Sequence, residues 1–127
     1  MTNILARIGL LLFLVAAAGS AQAQRAFESF GLGTASVTAT TSSSATALTL
    51  PTQASATPRK IQVRMYNAGT ATVFVHFGTS GVAATTGNMP LPSGAIEVIS
   101  VPEGTTHAAT ITSSGTGTVY FTAGLGE

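Results

Sequence analysis

Two histidines and two glutamates carry most of the acid–base and metal-binding potential of this sequence: His76, His107, Glu97 and Glu103. A metal site would need both histidines and a glutamate, but their spacing matches no metal-binding motif. His76 falls on the outward side of a predicted strand, so we expect an exposed or cross-strand histidine. The four residues therefore predict neither a metal site nor a cofactor site.

Hydrolytic chemistry is equally poorly supported. Glu97 and Glu103 are the residue type of a glycosidase acid pair, but no pattern places them across a cleft, and the chain has no Trp. A serine or threonine nucleophile needs a base and an orienting carboxylate, whereas Asp is absent and no G-x-S-x-G motif occurs. We therefore expect a protein that is not an enzyme.

Composition indicates one small domain suited to assembly. The 127 residues are 7% charged, against about 25% in typical soluble domains. Thr, Ser, Ala and Gly take the place of charges, and such a surface repels its neighbours weakly. The net charge of +1 gives no electrostatic case for nucleic acid. There is no cysteine, so β packing or a partner surface must supply the stability.

The N-terminus has the three-part pattern of a secretory signal peptide. Arg7 precedes an apolar run over 8–18, and Ala21-Gln22-Ala23 forms an A-x-A cleavage site. The run is shorter than the ~20 residues that span a bilayer, which disfavours a membrane anchor. The remaining alternative is a retained N-terminal helix that packs in protein. We divide the chain into a leader (1–24), a Thr/Ser/Ala-rich bridge with weak strands (25–57) and a β core (58–127).

The bridge predicts little regular structure. Gly31 and Gly33 loosen its first part. Threonines favour extended backbone, so weak strands are expected near 35–40 and 46–50. A disordered linker is the competing interpretation for 41–45.

The core shows clear strand patterns. Ile61, Val63 and Met65 alternate with polar residues, which predicts a half-buried strand. Residues 67–70 predict a turn with Gly69 at positive φ, which would join that strand to 71–77 as a hairpin.

Further strands are predicted beyond this pair. Residues 89–92 should be extended along a sheet edge, because two prolines restrict them. Strands at 95–101, 107–112 and 117–122 bring the total to about seven. The fold class is therefore all-β, a small antiparallel sandwich or jelly roll preceded by an N-terminal hydrophobic helix.

Two residue groups are candidate interface residues. Arg59, Lys60 and Arg64 form a basic cluster, which either protects a sheet edge or contacts an acidic partner. Phe74 and Tyr120 point away from the apolar sides of their strands. Either both faces are covered, as in an oligomer, or these aromatics form an exposed binding patch.

Residues 61–78, 89–98 and 114–127 together resemble small phage and prophage structural proteins. The resemblance implies a non-enzymatic β-sandwich in the virion that decorates or cements a capsid or tail lattice through sheet faces and edges. It also implies partners in that lattice or in further copies of the chain, as a homo-oligomer. The alternative is an exported periplasmic or cell-surface binding module, adhesin-like or carbohydrate-binding, with the leader cleaved near Ala23.

Overall fold

The computed structural model describes residues 27–51 and 60–126. The leader and its expected hydrophobic helix lie outside the described residues. Within those residues the chain forms eight strands. They are β1 (Glu28–Ala39), β2 (Ser44–Ala47), β3 (Lys60–Asn67), β4 (Val73–Gly78), β5 (Met89–Leu91), β6 (Ile96–Ser100), β7 (His107–Thr112) and β8 (Gly117–Gly126).

The strands form two antiparallel four-stranded sheets. Sheet I has the order β1-β8-β3-β6, and sheet II has the order β2-β7-β4-β5. The pairs β1–β8, β2–β7, β3–β6 and β4–β5 are those of one long antiparallel ribbon rolled on itself, which is the jelly-roll arrangement. The expected all-β antiparallel class is confirmed. No helix long and apolar enough to cross a membrane occurs in the described ranges.

The core lies between the two sheets. Sheet I contributes the buried side chains of Val63, Met65, Val119 and Phe121, and the Phe121 ring meets Phe77 of sheet II edge to face at 6.2 Å. The strand alternation predicted for 61–65 is confirmed from Val63 onward, where burial repeats with a period of two, while Ile61 and Gln62 are both half-buried. The same alternation therefore sends every second side chain of each sheet to an outer face.

The described part of the bridge, residues 27–51, contributes two strands to this sandwich. Residues 28–33, expected to be loose, belong to β1, which pairs with β8 through an irregularity between Ser29 and Thr34. Gly31 and Gly33 adopt φ of 64° and 90° there. Glycine supplies these left-handed angles at little steric cost, so it permits a bulge rather than a hinge.

The expected hairpin between β3 and β4 is wrong, because β3 lies in sheet I and β4 in sheet II. Asn67, whose side chain is fully buried, stands at the point where the chain changes sheets. Its Nδ2 donates to the carbonyls of Ala71 at 2.9 Å and Leu91 at 2.8 Å, and its Oδ1 accepts from the Gly69 N–H at 2.9 Å. These bonds hold a crossing from one sheet to the other.

Gly69 serves close approach in this crossing, not the positive φ expected from the sequence. It is not among the glycines of positive φ. A Cβ on Gly69 would collide with the Gly117 backbone and stand 2.7 Å from the Thr118 nitrogen. The crossing therefore passes against the start of β8, where only a hydrogen fits.

The extended 89–92 segment is confirmed as an edge. β5 is the last strand of sheet II, and Pro90 lies opposite Phe74 of β4. An edge tolerates proline because the missing N–H would face away from the neighbouring strand.

Replacing Asn67 with Ala should lower the free energy of unfolding by about 3 kcal/mol, because buried backbone groups lose their partners. Urea unfolding measures the loss. Asn88→Ala is the matched control, since Asn88 bonds only within its own loop, accepting from the Thr85 N–H at 2.6 Å. Equal losses in the two variants would contradict the assigned role of Asn67.

Thr110→Val should raise the free energy of unfolding by about 1 kcal/mol, because the buried Thr110 hydroxyl has no hydrogen-bond partner among the described residues. Thermal unfolding reads this as a higher Tm. Thr112→Val is the control, since the Thr112 hydroxyl donates to the Gly115 carbonyl at 2.9 Å. A lower Tm for Thr110→Val would show that its hydroxyl is satisfied.

Candidate interaction surface

The four candidate residues for acid–base chemistry do not converge. His76 and His107 lie on β4 and β7 of sheet II, Glu97 on β6 of sheet I, and Glu103 in the turn that follows β6. His76 Nδ1 donates to the Ala83 carbonyl at 2.8 Å, and His107 Nδ1 shares a hydrogen bond with the Thr106 hydroxyl at 2.8 Å. Across the described ranges, no three His, Asp or Glu side chains gather to hold a metal ion.

Two hollows among the described residues show no convergence of the histidines with the glutamates. The smaller, about 140 Å³, lies against core residues including Leu48, Val63 and Phe121, and no ionisable side chain lines it. The larger, about 630 Å³, is lined by Lys60 and Glu103 among mainly small and aliphatic residues. The surface features therefore matter more than the hollows.

The loop of residues 79–88 covers part of the outer face of sheet II, where His76 stays exposed. The Ala84 N–H donates to the Ser43 hydroxyl at 2.8 Å, while Ala83 accepts from His76. Ala84 and Ala109 are buried outside the main core cluster, as expected beneath such a cover. Phe74, on this face, is half-buried.

The outer face of sheet I carries four of the six exposed large apolar residues of the described chain, and the other two, Phe30 and Leu32, lie in the irregular part of β1. Tyr66 lies opposite Tyr120 on one side and Ile96 on the other, and Val98 follows on β6. Their exposed fractions are 38% for Tyr66, 40% for Tyr120, 51% for Ile96 and 41% for Val98. We call these four side chains the tyrosine face. Single exposed apolar residues are ordinary, whereas a contiguous group makes this face the candidate interaction surface.

The two tyrosines pack on each other. Their ring centroids are 6.2 Å apart, and the ring planes differ by 17°. Because the two rings pack on each other across neighbouring strands, their side-chain rotamers are restricted when the protein folds. Little further side-chain entropy is then lost when a partner binds. The tyrosine face is thus preorganised for a partner.

The predicted basic residues flank this face. Arg64 lies opposite Val98 and Thr122, and Lys60 lies opposite Gly126, so both project on the same side as Tyr66. Arg59 lies outside the described residues. The strand registers place no carboxylate of a strand residue on this side of sheet I, while Glu103, in the turn after β6, lines the larger hollow together with Lys60.

The structure separates the two predicted interface aromatics. Phe74 belongs to sheet II and Tyr120 to sheet I, so their outward faces point in opposite directions and form no common patch. Tyr120 instead joins Tyr66, Ile96 and Val98, which sequence reasoning missed as interface residues. Tyr66 does stand at an outward position of the 60–66 alternation, but only the strand register shows that it meets Tyr120.

Comparison with protein families, with curated proteins and with solved structures gave no match. The resemblance to phage structural proteins therefore stays a prediction.

A double-mutant cycle at Tyr66 and Tyr120 should give a favourable coupling energy of about 0.5–1 kcal/mol, because the rings stack across neighbouring strands. Urea unfolding of Tyr66→Ala, Tyr120→Ala and the double variant measures it. A second cycle pairing Tyr66→Ala with Ser29→Ala, on the distant part of β1, should give no coupling. Zero coupling in the tyrosine cycle would mean that the rings move independently.

Proposed function

We propose that this chain is a non-enzymatic structural component of a phage-like particle, which docks on a capsid or tail lattice through sheet I. The observation that carries the proposal is the tyrosine face, four large apolar side chains left together in solvent on one rigid sheet. Burying that surface against a lattice favours the assembled state, and binding to the folded form adds stability by mass action.

The composition of the face supports a protein partner. Tyrosine and arginine are enriched at the centres of protein interfaces, where lysine is depleted. Arg64 lies opposite Val98 and so adjoins the tyrosine face. Lys60 lies opposite Gly126, at the far end of the pairing between β3 and β8. This arrangement supports Arg64 as a central contact to an acidic group on the lattice and Lys60 as a rim charge.

The jelly-roll arrangement is compatible with this function without deciding it. Jelly rolls include viral capsid domains, lectins and cupins, so the fold alone selects no activity. The second candidate is an exported periplasmic or cell-surface binding module, adhesin-like or carbohydrate-binding. The observation in its favour is the leader, with its A-x-A site at Ala21–Ala23.

Sedimentation with particles tests the first candidate. Particles from cells expressing the full chain are banded by density, and the bound protein is quantified. We expect the chain to band with particles, and the Tyr66→Ser/Tyr120→Ser double variant to lose at least tenfold of its binding, or about 1.4 kcal/mol. Ser80→Ala is the control, because Ser80 is exposed in the 79–88 loop on the opposite side of the sandwich.

Two results would count against the particle function. The chain could be absent from particles, or the tyrosine variant could bind as well as the native chain. N-terminal mass spectrometry of the same cells separates the second candidate: a mature N-terminus at Gln24 in the periplasmic or culture fraction supports export.

A further inference from the structure

The free edge of β6 is equipped to pair with another strand. The Asn67 N–H donates to the Ala95 carbonyl at 3.1 Å, and the Val101 N–H donates to the Ile61 carbonyl at 3.1 Å. In an antiparallel ladder alternate residues bond to the same neighbour, so residues 97 and 99 also face β3. The N–H and C=O groups of Ile96, Val98 and Ser100 therefore point away from β3, to a side where no described strand lies.

The other three sheet edges carry features that oppose strand addition, although the β1 bulge leaves the run from Thr34 to Ala39 in regular register. β1 is bulged between Ser29 and Thr34, β2 has only four residues, and β5 has three residues, one of them Pro90. Short strands, bulges and proline are the usual means of protecting an edge. β6 has five residues without proline, lysine or a bulge, and its single charge is Glu97.

We infer that β6 pairs antiparallel with β6 of a second copy of this chain, about a two-fold axis at Val98. Ile96 then lies opposite the partner's Ser100, and Val98 lies opposite the partner's Val98. Each of these pairs exchanges two backbone hydrogen bonds, and two copies of sheet I join into one continuous sheet. The contact is isologous and closes on itself, so it gives a dimer and not a fibre.

The pleat and the charge select this register. Residues opposite each other share a face, so the two-fold axis must pass through a residue paired with its own copy. An axis at Glu97 would place two carboxylates against each other. An axis at Val98 places Glu97 opposite the partner's Ile99 and uses every outward-pointing residue of the strand.

The dimer would extend the tyrosine face. Ile96 and Val98 lie at the β6 margin of that face, so pairing at β6 brings the tyrosine faces of both copies onto one side of the joined sheet. Two linked faces engage a repeating lattice with greater avidity than one. This gain in avidity rests on the proposed function. The β6 pairing itself is measured on the purified chain, without particles.

Cysteine cross-linking tests the register, since the native chain has no cysteine. Val98→Cys should form a disulfide-linked dimer under mild oxidation, because the paired Cα atoms would stand about 5.5 Å apart, within disulfide range. Ser36→Cys, exposed on β1, should cross-link at least tenfold more slowly. A mixture of Ile96→Cys and Ser100→Cys chains should cross-link faster than either variant alone.

Light scattering on the full chain tests the pairing without a disulfide. The native chain should show a concentration-dependent dimer, and Val98→Pro should be monomeric with an unchanged circular dichroism spectrum. Proline there removes an N–H that points away from β3. A native chain that is monomeric at every concentration, or equal cross-linking at positions 36 and 98, would overturn the inference. Particle binding by such a monomer would leave the proposed function standing.

Discussion

The buried amide of Asn67 determines the course of the chain after β3. Its three hydrogen bonds, to Gly69, Ala71 and Leu91, tie the end of a sheet I strand to the crossing and to β5 of sheet II. A buried amide left without partners is costly, so the crossing and the amide require each other. Because β4 then lies in sheet II, β5 can pair with it and β6 can return to β3. The rolled ribbon and the core between its sheets depend on this crossing.

In this topology the outer faces of the two sheets differ in how far the chain itself covers them. Over sheet II, the loop between β4 and β5 bonds to Ser43 and His76 and buries Ala84. Over sheet I, no described residue plays that part, and Tyr66, Tyr120 and their aliphatic neighbours remain in solvent. The chain thus covers part of one outer face with its own loop, and leaves apolar and cationic side chains exposed on the other. That asymmetry supports the assignment of sheet I as the docking side.

The sequence predicts the local structure of this protein well and its strand partners poorly. The period-two alternation at 61–65 indicates which side chains face inward, and the prolines near 90 indicate an edge. Neither signal says which strand lies next to which. The 67–70 turn has the composition of a hairpin, and only the placement of β3 and β4 in different sheets reverses that interpretation. The sequence places both Phe74 and Tyr120 on the outward side of their strands, yet the two strands lie in different sheets. Local alternation sets which side of a strand a residue occupies, whereas long-range strand pairing sets which sheet the strand joins.

The central claim is that sheet I carries the docking surface. Hydroxyl-radical footprinting of the particle-bound and the free chain tests it most directly, because exposed tyrosine rings and aliphatic side chains are oxidised in proportion to their exposure. The account predicts that binding protects Tyr66, Tyr120, Ile96 and Val98 and leaves Phe74 and the 79–88 loop unchanged. Protection of Phe74 and that loop, with the tyrosines still reactive, would contradict it.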